Sequence, residues 1–169
     1  MKQIDDIKKK VMWEKFYDPD FNWHNEDFYA NNTDILSEDF IREFKDVIDW
    51  FYVSYYPELS EDFIREFKYK NFHWNHIFIF QTLSEDFIRE FKDKVSWKII
   101  SVGQRLSEEF IREFKDEVDW SLISSSQVLS EAFIREFKDE VDWDYISIHQ
   151  TLSKDFIREF KEKLRNIYN

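Results

Sequence analysis

Cysteine is absent from this chain, so neither a disulfide framework nor a thiolate metal site is open to it. One glycine, Gly103, and two prolines, Pro19 and Pro57, among 169 residues are too few for the turns of a β-sandwich or barrel. No run approaches about 18 apolar residues, and Met1 to Lys10 carries charges where a signal peptide has its apolar segment. A soluble, cytoplasmic protein with no membrane span is the expectation. A basic stripe is missing too: 24 Lys and Arg stand against 36 Asp and Glu, a net charge of −12, so direct nucleic-acid binding is not expected. Nor is there a Gly-rich phosphate loop or a nucleophile motif, so the chain reads as no enzyme and needs no cofactor.

What is present is repetition. Leu-Ser-Glu-Asp-Phe-Ile-Arg-Glu-Phe-Lys or a near copy opens at Leu36, Leu59, Leu83, Leu106, Leu129 and Leu152. A period of about 23 residues marks a solenoid whose units bury their apolar faces only against neighbours. The units are 36–58, 59–82, 83–105, 106–128, 129–151 and 152–169, after a degenerate cap and insertion over 1–35. Glu, Lys, Arg, Phe and Ile in helical spacing make the class all-α: a short α-solenoid of six two-helix repeats in one domain, 1–169.

In the unit from Leu106, Ser107 is the expected N-cap, with Glu108 and Glu109 facing the positive helix end. Phe110, Ile111, Phe114 and Val118 then fall within an arc of about 100° and predict one buried helical stripe. Asp119 is placed to cap a second helix starting at Trp120. On that helix Trp, Ile or Val, Ser and usually Gln recur on one side: Trp97, Ile100, Ser101 and Gln104, or Trp143, Ile146, Ser147 and Gln150.

The opposite side varies from copy to copy: Phe51, Tyr52, Tyr55 and Tyr56; Asn75, His76, Ile79 and Phe80; Lys98, Ile99, Val102 and Gly103; Ser121, Leu122, Ser125 and Ser126; Asp144, Tyr145, Ile148 and His149. Two readings are open, unconstrained surface that has drifted or a recognition face. If it recognises, the candidate contacts are Phe51, Tyr52, Tyr55, Tyr56, His76, Ile79, Phe80, Lys98, Tyr145 and His149, and the partner is a protein. Arg, Glu and Lys at Arg42, Glu43 and Lys45 recur identically in all six copies although they read as solvent-facing. Either an ion-pair ladder, with i,i+4 pairs Glu38 to Arg42 and Arg42 to Asp46 and the same charges stacked on neighbouring helices, or recent duplication accounts for that.

At the N-terminus Ile4, Ile7, Val11 and Trp13 read as a worn first helix leading to a repeat tryptophan. The insertion after it is expected to pack Phe21, Trp23, Phe28 and Tyr29 over the solenoid end or over the aromatic face at Phe51 and Tyr52. Its Asp18, Asp20 and Asn22 imitate the start of a calcium loop, but Trp23 replaces the turn glycine and Tyr29 the bidentate Glu. His73 and His76 lack the further ligands zinc needs, so no metal is expected. Lys161 to Asn169, with Lys163 and Arg165, predicts a polar C-terminal capping helix.

The pattern Leu-Ser-Glu-Asp-Phe-Ile-Arg-Glu-Phe-Lys-Asp-x-Val-Asp-Trp-x-x-Ile-Ser-x-x-Gln, fullest over 106–127 and 129–150, resembles uncharacterised tandem helical-repeat proteins of giant DNA viruses related to mimiviruses. That resemblance covers 36–169 and implies a viral protein in the cytoplasm of an infected cell, with no activity to carry over. The second repeat departs from it by an extra residue before Trp74 and by Phe78 in place of Ser, and the first by Pro57 in place of Gln. The expected function is a non-catalytic protein-interaction scaffold, monomeric or weakly self-associating. A self-assembling structural or virion component and an acidic decoy for basic proteins are the alternatives.

Overall fold

A computed structural model describes residues 13–56 and 58–164. Among them are twelve α-helices, two 3-10 turns and no strand, the all-α repeat architecture expected from the sequence. They belong to two compact units, Met1–Glu58 and Leu59–Asn169, divided where the second repeat begins.

The first helices are Glu38–Glu43, Glu61–Glu66, Glu85–Phe91, Glu108–Glu113, Glu131–Glu136 and Lys154–Glu159. Each is opened by its serine, whose side-chain oxygen accepts the N–H of the Phe three residues on, as Ser107 does from Phe110 at 3.1 Å. The helices are shorter than the predicted stripe. In the fourth repeat the helix stops at Glu113, and Val118 is buried from a separate turn closed by its N–H to the Phe114 carbonyl at 3.1 Å. Asp116 and Glu117 next to the negative helix end disfavour a straight continuation.

The second helices are Trp50–Val53, Trp74–Phe80, Trp97–Gly103, Trp120–Ser126 and Trp143–His149. Asp49, Asp119 and Asp142 cap theirs through the carboxylate. Within the second unit the last four pack in succession, and each repeat is fastened to the next by the same set of contacts. Gln127 is buried and accepts the Leu106 N–H at 3.0 Å while donating to the carbonyls of Ser101 at 2.9 Å and Gln104 at 2.8 Å. Gln150 repeats this with Leu129, Ser124 and Gln127, and Gln104 with Leu83, Phe78 and Gln81. Ser101 and Ser124 accept the N–H of Asp119 and Asp142, the capping residues of the following helices.

The identical charged residues belong to the same joints. Arg65, Arg89, Arg112 and Arg135 pair with Glu90, Glu113, Glu136 and Glu159 of the following repeat at 2.7–2.9 Å. Each guanidinium also lies over a Phe ring of that repeat, 4.8–5.0 Å from its centroid. The first-turn glutamates, read from sequence as dipole partners, reach across too: Glu85, Glu108 and Glu131 accept the N–H of Ser107, Ser130 and Ser153 at 2.6–2.7 Å.

In the first unit the segment before Leu36 imitates a repeat. Trp23 lies on Phe44 at 5.1 Å and 35°, close to Trp97 on Phe114 at 4.9 Å and 37°. Trp13, expected to fill that role, instead meets Phe40 nearly edge-on, at 5.1 Å and 85°. Helix Glu26–Asn31 packs on Trp50–Val53 as a second helix does. Tyr17 donates to Glu43 at 2.6 Å where later units use Arg, and the Tyr29 hydroxyl accepts the Asp49 N–H at 2.8 Å where they use Ser. Phe16, Phe21, Trp23 and Phe28 cluster ring to ring and cover Phe40 and Phe44, so the insertion caps this unit's own core as predicted. With Pro57 replacing the Gln, the Leu36 N–H goes to the Asn32 carbonyl at 3.2 Å.

Ile4, Ile7 and Val11 of the worn helix lie outside the described residues, as does Arg165. The predicted C-terminal capping helix is not found over its described part: the last helix ends at Glu159, and Lys161–Leu164 form a turn closed by the Leu164 N–H to the Phe160 carbonyl. The sixth repeat therefore shows a first helix and no second among the described residues.

Candidate interaction surface

The joints consume the constant residues and leave the variable ones outside. Ile100, Ile123 and Ile146 are fully buried, as are Ser101 and Ser124. In the second unit Ile79, Phe80, Val102, Tyr145 and Ile148 are between 41% and 65% exposed, on three of the four packed second helices; Trp120–Ser126 exposes serines there instead. Asn75, Lys98, Ser121, Asp144 and His149 are exposed beside them. Single exposed apolar side chains are ordinary on a monomer, whereas contiguous apolar patches are not.

In the first unit Phe51 and Tyr55 are exposed, whereas Tyr52 and Tyr56 are half-buried and already engaged. Tyr52 stacks on Tyr29 at 4.9 Å, and the Tyr56 hydroxyl donates to Glu26 at 3.0 Å. Burial pushes the Tyr29 phenol up, so it stays a neutral donor to the Trp23 carbonyl. Of the four aromatic candidates here, Phe51 and Tyr55 are exposed, each with its ring against a neighbouring tyrosine, and Tyr52 and Tyr56 reach the cap.

His73 and His76 sit side by side with ring centroids 3.9 Å apart at the start of Trp74–Phe80. Burial first, and the neighbouring His73 charge second, hold His76 below the ordinary histidine value of 6.5. A depressed value in the folded state means that acid protonates the unfolded chain first. The stability this site contributes is thus present above pH 6.5 and is lost as pH falls through the folded value. Glu113 and Glu131, held low by the Arg89 pair and by the Ser153 N–H respectively, add their loss only below their ordinary 4.5. Between pH 6.5 and 4.5, melting curves of His76→Asn should fall less steeply with pH than those of the parent; parallel curves refute the assignment.

Asp18 and Asn22 spend their side-chain oxygens on turns, accepting the N–H of Asp20 at 2.9 Å and of His24 at 3.1 Å. Among the described residues no group of three His, Cys, Asp or Glu is placed to hold a metal ion, and no helix is long and apolar enough to cross a membrane. The chain is thus an all-α tandem-repeat protein built of stacked helix pairs. No family model, no curated protein and no solved structure matches it.

Proposed function

We propose that this chain is a non-catalytic scaffold that binds a protein partner through the variable side of its second helices. What carries the reading is the division of labour along those helices: the recurring Ile, with most of the recurring Ser and Gln, is buried in joints, and the exposed large apolar side chains, Ile79, Phe80, Val102, Tyr145 and Ile148, lie on the changing side. Drift alone predicts small polar substitutions on such a face; retained large apolar groups fit contact area reserved for another surface. The setting the resemblance implies is the cytoplasm of an infected cell.

The test is a combined variant, Ile79→Ser, Phe80→Ser, Val102→Ser and Ile148→Ser. Because these side chains are largely outside, its melting temperature should stay within about 4 °C of the parent. Crosslinking in cells should then recover a defined partner with the parent and not with the variant. Light scattering across a hundredfold concentration range separates the other reading. A monomer near 21 kDa throughout fits a scaffold. Concentration-dependent growth abolished by the same variant replaces it with self-assembly.

A further inference from the structure

Two clefts open at turns that follow first helices, each beside a tryptophan. In the second unit one of about 390 Å³ is walled by Asp116, Trp120, Glu136, Phe137, Asp139 and Glu140. In the first unit a cleft of about 310 Å³ is walled by the corresponding Trp23, Glu43, Phe44 and Asp46, with Val47 in the place of Glu140. The same hollow at two registers is a property of the repeat rather than an accident of one loop.

Neighbouring registers show what fits there. Lys163 holds its ammonium over the Trp143 ring, 6.0 Å from the centroid, and Lys92 holds its own over Phe114 at 5.9 Å. Glu140 occupies in the fifth repeat the place that Lys163 occupies in the sixth. Lys163 thus shows an organic cation seated on this aromatic pair; at Trp120 and Phe137 the sequence has an acid in Lys163's place, while Lys115, the counterpart of Lys92, lines the cleft. Among the described residues no ammonium or guanidinium lies over either of those rings. The pair is rigid: the rings lie 4.9 Å apart, and the indole N–H donates to the Lys115 carbonyl at 3.0 Å. Arg112 matches Glu136 at 2.9 Å, which leaves Asp116, Asp139 and Glu140 against the single charge of Lys115.

We propose that the cleft between the fourth and fifth repeats binds a lysine or arginine side chain of a protein partner, its cation laid on the Trp120–Phe137 pair and its charge matched by Glu140 and Asp139. Carboxylates alone would accept any cation; the aromatic wall favours an organic one. The site uses none of the variable-face residues, so it stands or falls separately from the scaffold reading.

The experiment is a titration of the full chain, followed at the Trp120 indole N–H by NMR, with acetyl-Gly-Lys-Gly amide, its arginine counterpart, and a norleucine counterpart that keeps the length and lacks the charge. Saturable shifts with the two cationic peptides and none with norleucine are expected. Glu140→Lys, which supplies the cation from within as Lys163 does, should weaken binding about tenfold or more. Glu140→Gln, which keeps the shape, should weaken it about threefold. Glu109→Lys makes the same charge change on an exposed first turn and should alter affinity less than about twofold. Equal shifts with norleucine, no saturable shift at Trp120, or affinity untouched by both Glu140 variants would overturn the proposal.

Discussion

Gln127→Leu is expected to cost about 3–5 kcal/mol and to lower the melting temperature by about 10 °C, although it preserves size and removes no charge. The amide holds three backbone groups from three places: the Leu106 N–H that opens its own repeat, and the Ser101 and Gln104 carbonyls of the repeat before. Leucine satisfies none of them, and each buried orphan costs about 1–3 kcal/mol. In a repeat array the loss falls on one joint rather than on the whole fold. Urea unfolding should accordingly split into two transitions, and the Leu106 amide should exchange with solvent much faster. Val128→Ser, at a neighbouring residue that is 95% exposed, is the control and should leave both unchanged. A single unshifted transition in Gln127→Leu would mean that the amide network adds little to the joint.

Much of this joint is legible in the sequence. The serine caps, the start of each second helix at tryptophan and the buried Ile, Ser and Gln side follow from the period of 3.6 and from capping chemistry. Stacking of the charges on neighbouring helices was legible as well; which residue meets which at a distance of one repeat was not. From sequence Arg112 has neighbours at Glu108 and Asp116; its close partner is Glu136, 24 residues on. The signal was present in the identity of Arg, Glu and Phe across six copies, because an Arg that meets the Glu and Phe of the next unit cannot change without them. The joint also has a reason beyond ion pairing. Exposed pairs contribute about 0.2–1 kcal/mol, but the same guanidinium covers a Phe face and closes the apolar seam beneath it. Tyr17 and Tyr29 were hidden for a related cause: they occupy the places of Arg and Ser without resembling either, and only the acceptor and donor they meet, Glu43 and the Asp49 N–H, betray the substitution. The clefts went unseen because their walls come from two successive repeats.

Phe78→Ser is the second large effect, and it runs against intuition, since serine is what the other complete repeats carry at this place: Ser54, Ser101, Ser124 and Ser147. The new hydroxyl has a partner in the Trp74 carbonyl, by analogy with Ser124 to Trp120 at 2.7 Å, so hydrogen bonding does not oppose the change. Volume does. Phe78 is fully buried, and removing its ring leaves a cavity worth about 3–5 kcal/mol. The backbone at Phe78 is approached on the next helix by Gly103, the only glycine in the chain, where an added Cβ would come within 2.6 Å of the Phe78 carbonyl oxygen. The following register carries Ser126 at the corresponding position and has Ser101 opposite. Phe78 and Gly103 thus form a matched pair that lets Trp97–Gly103 approach Trp74–Phe80 closely. Gly103→Ala should cost about 1–2 kcal/mol, the clash being partly offset by alanine's better helix propensity. In the Phe78→Ser background the approach can relax, so the double variant should be more stable than the sum of the singles by about 1 kcal/mol or more. Denaturant titration of the four proteins measures that coupling. Additive losses would separate the two residues and leave the glycine without a structural partner.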